Sequence, residues 1–332
     1  MEKQYISSNY PDMLTASGKA KTDGEDIMVG LGYANVGIKR SFYPIGWKSY
    51  ISVIRNFITV YLKMKKDGIV FLQYPLPWTL KNLRLAKKRK NNVVVLIHDL
   101  NILRNGSSKE EISILNEADV LIVHTPAMKK FLKENGLGKK TVVLECFDYL
   151  YGKSVKIPDL KDGFKVAFTG NLKKSDFLDK VNLEKVKLNL YGIGIENRTL
   201  PDNVHFIGCF PPEKLAENMG EHFGLVWDGE SPDTCSGQLG EYLKIIAPHK
   251  FSMYVSAGLP VVVWNQSALA PLVEQKKIGL AVGSLREMED KIFDLTEKEY
   301  KEMLDNVNAV KDRLIKGDFL RTAITEAESL IR

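Results

Sequence analysis

The chain has 332 residues, 44% hydrophobic and 27% charged, enough for two domains with a core each and ordinary for a globular protein. The net charge of +6 suits anionic ligands or an anionic surface. The lysines are scattered and no nucleic-acid motif accompanies them, which excludes the nucleic-acid-binding classes. Three widely spaced cysteines, Cys146, Cys209 and Cys235, have no metal-ligand spacing and exclude a disulfide framework or a zinc site.

In chain order, the opening MEKQYISSNY lacks the apolar run of a secretory signal, so a cytoplasmic location is expected. Short apolar runs then alternate with segments of helical spacing: YISS (5–8), VGIKRSF (36–42), GIVFLQY (68–74), NVVVLIHD (92–99), ADVLIVHT (118–125) and TVVLECF (141–147). Lys48, Arg55 and Lys63 interrupt segment 47–66, so it does not span a membrane. It reads as a helix packed on the domain or at a subunit contact, with a basic helix lying on a membrane surface as the alternative. The cluster KKRK (87–90) reads as a solvated helix end. In VHTPAMKKFLKENG, Thr125 suits an N-cap, Pro126 the first turn and Gly136 the end.

Residues 148–163 break the rhythm and read as a linker. A second series follows: FKVAFTG (164–170), VKLNLYG (186–192), VHFIGCF (204–210), FGLVWDG (223–229), LPVVVW (259–264) and GLAVG (279–283), closed by a C-terminal helix at 318–332. Continuous apolar strands between helices predict two parallel α/β domains, 1–150 and 160–317. Ligands of such sheets bind at the carboxyl ends of the strands, so a cleft between the domains is the expected site.

Two glycine motifs mislead. LTASGKAKT (14–22) lacks the first glycine and the magnesium-binding hydroxyl of a phosphate loop, with Met13 and Ala20 in those places. What remains is a turn with Ser17 and Gly18, which is either an ordinary capped turn or a place for a phosphate or sugar hydroxyl. GLGYANVG (30–37) ends a helix instead of following a strand and is not a dinucleotide fingerprint.

The post-strand residues carry the chemistry. His98 and Asp99 end a strand; they suit a base or acceptor-orienting role, or a histidine simply tied to backbone. For His124 the backbone-tied reading is preferred. In the second half, Gly170, Asn171, Lys173 and Lys174 follow one strand, Tyr191 and Gly192 another, and Asp228 a third. In APHKFSMYVSAGLPVVVW (247–264), Pro248, His249 and Lys250 open a helix that Gly258 ends. Positive side chains at a helix start are unfavourable unless an anion is bound there. A lysine beside first-turn amides suits a diphosphate and the charge developing on a leaving nucleotide.

FTGNL, LYGIG, VHFIGCFPPEKL, FGLVWDG and PHKFSMYVSAGLPVVV together resemble GT-B glycosyltransferases. The nearest group is the glucosyltransferases that extend GlcNAc on bacterial serine-rich-repeat adhesins, with galactofuranosyltransferase-like relatives. The resemblance implies two Rossmann-like domains facing a cleft, with the C-terminal helix returning to the first domain. It implies a UDP-sugar donor in the second domain and the acceptor mainly on the first. Lys250 with Lys173 or Lys174 would meet the diphosphate; Asn171, Tyr191, Gly192, Gly170, Asp228 and His249 would line the nucleotide site; the 12–18 loop with Ser17 and Gly18 would face the donor; His98 and Asp99 would face the acceptor. No metal and no further cofactor are implied, and D-x-D is absent. Two departures stand out: Ile246 replaces a frequent Asn, and Ser252 and Ser256 stand on the polar side of the helix where retaining relatives carry glutamates.

The expected activity is glucose transfer from UDP-glucose to a GlcNAc-modified Ser/Thr-rich protein, with UDP-GlcNAc or UDP-galactofuranose as other donors. The alternatives are a nucleotide-sugar epimerase using Asp228 or Glu230, and a non-catalytic glycoprotein-binding partner. A homo-oligomer is expected from the resemblance and the 47–66 helix.

Overall fold

The computed structural model describes residues 1–7, 16–39, 47–102, 108–160, 163–196 and 198–331. They divide into two units, Met1–Asp148 with Gly317–Arg332, and Tyr149–Lys316.

The first unit holds a six-stranded parallel sheet of order β2-β1-β3-β4-β5-β6. Its strands are β1 (Lys3–Ile6), β2 (Ala34–Asn35), β3 (Ile69–Tyr74), β4 (Asn92–Ile97), β5 (Val120–Val123) and β6 (Lys140–Val143). Helices α1 (Ala16–Gly30), α2 (Trp47–Lys63), α3 (Thr79–Lys88), α4 (Ser108–Leu115) and α5 (Pro126–Glu134) connect them. All six residues of β3 and the VVVLI of β4 are buried, as helices on both faces of a parallel sheet require. The strand expected over 36–42 is only the pair 34–35; 36–39 are not strand, and 40–42 lie outside the described residues. At α5 the Thr125 hydroxyl accepts the Met128 amide at 3.1 Å, Pro126 opens the helix and Gly136 follows it at φ +95°.

The second unit holds another six-stranded parallel sheet, of order β12-β11-β10-β7-β8-β9. Its strands are β7 (Lys165–Asn171), β8 (Lys187–Ile193), β9 (Val204–Gly208), β10 (Phe223–Val226), β11 (Val261–Trp264) and β12 (Gly279–Val282). Helices α6 (Pro212–Leu215), α7 (Gly237–Leu243), α8 (His249–Ser256), α9 (Ala270–Lys276), α10 (Leu285–Phe293) and α11 (Glu297–Lys316) belong to it. Its core gathers Phe168, Phe177, Phe223, Leu225, Trp227 and Val262, all completely buried.

Helix α12 (Asp318–Ile331) belongs to the first unit. Asp148 accepts the Phe319 and Leu320 amides at 3.2 and 2.7 Å and so caps it. Burial pushes this carboxyl up to about 7 even though the two amides pull the other way. Further along α12, Glu328 accepts the Tyr33 hydroxyl at 2.9 Å and pairs with Lys3 at 2.7 Å. The segment expected as a linker is not loose: Tyr149 donates to Leu314 O at 3.3 Å and Val155 to Ala257 O at 2.8 Å, binding it to the second unit. Among the described residues, no helix is long and apolar enough to cross a membrane.

Candidate active site

Each sheet has a point where its strand order reverses, between β7 and β10 in the second unit and between β1 and β3 in the first. Connecting helices there leave in opposite directions and expose the carboxyl edge of the strands.

In the second unit that edge begins with Gly170 and Asn171, both exposed at the end of β7. Gly170 has φ +150° and a side chain there would meet open space, so its peptide face lies uncovered. Gly192, with φ +140°, has a different reason to be glycine: a Cβ would lie 1.9 Å from Gly170 O on the adjacent strand. Asn171 turns back on the chain and accepts the Lys173 amide at 3.2 Å, starting the turn that carries the exposed Lys173 and Lys174.

Packing places α8. The Tyr254 ring lies over β10 at Gly224, where a Cβ would be 2.1 Å from it. Its hydroxyl accepts the Thr169 amide at 2.8 Å and donates to Thr169 Oγ1 at 3.1 Å. These contacts bring the α8 N-terminus to the ends of β7 and β10. No side chain caps this helix at Pro248, and the Phe251 amide donates to Pro248 O at 3.0 Å.

Lys250 has an acidic partner. Its ammonium donates to both Asp228 oxygens and to Trp227 O, each at 3.2 Å, and sits 4.8 Å from the Phe168 ring centroid. Its side chain is only 15% exposed, so an unpaired charge would be costly there, and Asp228 neutralises it. An arriving diphosphate would share or displace that carboxylate. His249, half-buried, packs its ring 5.1 Å from that of Tyr149.

Three expectations need correction. Tyr191 cannot line an open site: it is 2% exposed and its hydroxyl donates to Glu221 at 2.7 Å, because β8 turns that side chain into the sheet's flank. Burial beside this carboxylate raises its pKa. Ser252 and Ser256 do not form a solvated side of α8, whose residues 251–256 are all buried, with Ser256 Oγ donating to Met253 O at 2.8 Å. Ser17 and Gly18 lie inside α1 instead of a loop; Gly18 is buried, while the Ser17 side chain and residues 12–15 lie outside the described residues.

At the carboxyl edge of the first unit, side chains from α1, β3 and β4 form a polar network. Gln73 Nε2 donates to Lys21 O at 3.1 Å, which turns Gln73 Oε1 toward His98 Nε2, 2.8 Å away. A carbonyl oxygen only accepts, so the His98 proton sits on Nε2 and the basic lone pair on Nδ1. The His98 ring stacks on Phe147, centroids 5.0 Å apart and planes 13° apart. Gly24 makes room for this arrangement, since a Cβ there would lie 2.7 Å from Gln73 Oε1. Lys21 donates to Pro75 O at 3.0 Å; burial lowers its pKa, opposed by Glu25 and Asp99. Glu25 is 2% exposed and accepts the Ser7 hydroxyl on Oε1 at 2.7 Å, while Oε2 has no partner among the described residues. Burial pushes this carboxyl up to about 7. His124 is tied to Ile97 O at 2.8 Å, and complete burial pulls it down to about 4; it is structural.

The sequence reading named His98 and Asp99 but missed Lys21, Glu25 and Gln73. Gln73 was visible as the polar residue inside an apolar strand, and Lys21 and Glu25 as a pair four apart on one helix face. Among the described residues, no group of three His, Cys, Asp or Glu side chains converges to hold a metal ion.

Two reversing parallel sheets with loaded carboxyl edges define a two-domain α/β fold of the GT-B type. Residues 3–146 match the family model "Glucosyltransferase 3-like, N-terminal domain", and 166–327 match "Glucosyltransferase 3-like, C-terminal domain". The chain is 32% identical over 324 residues to beta-1,6-galactofuranosyltransferase WbbI of Escherichia coli K12, covering 94% of each. It is 28% identical over 315 residues to glucosyltransferase 3 of Streptococcus parasanguinis, covering 91% of this chain and 90% of the relative. Among solved structures, sucrose-phosphate synthase of Thermosynechococcus elongatus aligns with TM-score 0.63 at 13% identity, covering 100% of this chain and 99% of that one. HepE of Anabaena, solved with UDP-glucose, aligns with TM-score 0.58 at 15% identity over 99% of both. The chain belongs to the glucosyltransferase 3-like family and is a glycosyltransferase.

Proposed function

We propose that the protein transfers a hexose from a UDP-sugar to a hydroxyl of a sugar already attached to its acceptor. The observation that carries this reading is the second unit's carboxyl edge: an exposed Gly170 and the Lys250-bearing start of α8, which no side chain caps. Amides and an ammonium group suit the departing diphosphate. In the reaction the acceptor oxygen bonds to the anomeric carbon, the bond from that carbon to the phosphate oxygen breaks, and UDP leaves with the electron pair. The acceptor's proton passes to a base, for which His98 Nδ1 has suitable chemistry in the first unit. Donor-side roles are assigned to Lys250, Asp228, His249, Gly170, Asn171, Lys173 and Lys174, and an acceptor-side role to Asp99.

UDP-glucose with a GlcNAc-modified Ser/Thr-rich protein is the first reading, supported by the family model and by relatives named glucosyltransferase 3. UDP-galactofuranose is the second, supported by the 32%-identical relative. Incubation with UDP-glucose, UDP-galactofuranose and UDP-GlcNAc, each with a GlcNAc-bearing peptide, separates them: UDP is released with one donor and the product gains that sugar. Release from no donor rejects the reading; a changed sugar still on UDP indicates an epimerase. The transfer is expected to survive EDTA. Assembly of copies is tested by light scattering.

A further inference from the structure

Helix α2 faces outward with its apolar side. Trp47 and Leu62 are 71% and 74% exposed, and Tyr50, Ile51, Ile58 and Tyr61 are exposed between them. At 100° per residue these six fall within one third of the helix circumference. The opposite side, which packs inward, buries Asn56 and Val60. This inverts the usual arrangement, in which the apolar stripe of a surface helix covers the core. An apolar stripe of this size left in water marks an interaction surface.

Charge identifies the partner. Residues 47–90 contain eleven Lys and Arg against the single Asp67, a net +10, whereas the whole chain is +6 and the remainder therefore −4. Lys48, Arg55 and Lys63 are exposed on α2 itself. Helix α3 continues the basic surface. Its leading Trp78 packs edge-on against Tyr50 and Phe57, with centroids 6.2 and 5.6 Å away, and Lys81 lies 3.7 Å over the Trp78 ring. Arg89 is fixed under α2, donating to the carbonyls of Tyr61 and Met64. Three cations nearby have acidic partners: Lys65 with Glu2, Lys87 with Asp119 and Arg84 with Glu117. A second copy meeting this face across a two-fold axis would set the same cations against themselves. An anionic bilayer complements them, and Trp, Tyr and Leu suit the depth of its headgroups.

We propose that the outward face of α2, with the basic row of α3 beside it, docks the enzyme on an anionic lipid surface. The full-length protein is sedimented with vesicles of pure phosphatidylcholine and with vesicles in which about a third is phosphatidylglycerol. The expected result is at least ~10-fold more protein on the anionic vesicles, falling steeply as salt rises. Equal binding to both vesicle types, or to neither, overturns the proposal. The pair Trp47→Ser with Leu62→Ser, and separately Arg55→Glu, are each expected to reduce vesicle binding by about 10-fold or more while UDP release in solution stays unchanged. Phe293→Ser, an exposed apolar position on α10, leaves binding as it was. Wild-type-like vesicle binding by the α2 variants rejects the assignment. So does light scattering that shows a wild-type dimer split by the Trp47/Leu62 pair, because the face then belongs to a second copy. The wild-type lipid and salt comparison decides the matter even where a variant fails to fold.

Discussion

The carboxyl edges of the two sheets, alike in strand number and direction, handle charge in opposite ways. In the second unit the half-buried cation is matched: Lys250 holds Asp228 at 3.2 Å. In the first unit a buried carboxyl is left half-bonded, with Glu25 Oε2 unpartnered among the described residues, and the half-buried Lys21 has its charged form disfavoured. One edge keeps an ion pair; the other keeps a carboxyl whose proton is held up to about 7. The proposed function assigns the leaving group to the former edge and the nucleophile to the latter, since a leaving group needs a counter-charge and a nucleophile a proton acceptor.

The contrast breaks most readily at its ion pair. Lys250→Ala is expected to lower kcat/KM by about 10²–10³ and to weaken UDP binding in calorimetry, the usual cost of deleting a donor that faces developing negative charge. Unchanged UDP affinity would move the diphosphate elsewhere. At the other edge, His98→Ala is expected to reduce transfer by on the order of 10² with UDP affinity retained, as for loss of a proton acceptor. Weakened UDP binding instead would erase the distinction between the edges.

Glu25→Gln sharpens the comparison through pH. The folded carboxyl titrates near 7, well above its unfolded value, so the native state holds this proton more tightly. The group's contribution to stability is therefore full below the unfolded value and lost as pH rises toward about 7, with no further change above. A neutral glutamine removes that loss. The melting temperature of the variant should gain on wild type between about pH 5 and 7 and run parallel above.

The smallest functional effect is expected at Tyr191→Phe. Its buried hydroxyl bonds a carboxylate, so the change costs stability of about 1.5–3 kcal/mol, read by urea denaturation, while KM for the donor stays the same. A raised KM would return Tyr191 to the ligand site.

Among the described residues, every strand but the one expected over 36–42 was legible in the sequence because apolar runs, turn glycines and caps are local signals. Even the α8 boundaries could be read, since Pro248 and Gly258 punctuate it. Positions at strand ends and at the start of α8 were likewise legible as candidates, among them His98, Gly170 and Lys250. Their partners were not. That Lys250 is held by Asp228, 22 residues away, depends on β10 and α8 meeting at the end of the sheet. That Tyr191 points into the flank while Gly170 lies open depends on which way two adjacent strands pleat. Glu25 looked like any helical glutamate until Ser7 and the sheet closed around it. The outward turn of α2 shows the same limit: periodicity identifies an apolar stripe, and only packing decides whether it is covered. Sequence determined the elements and the types of chemical group available, through short-range backbone and side-chain preferences. Tertiary structure decided pairing, burial and protonation, because these depend on groups brought together from distant parts of the chain and on the water excluded around them.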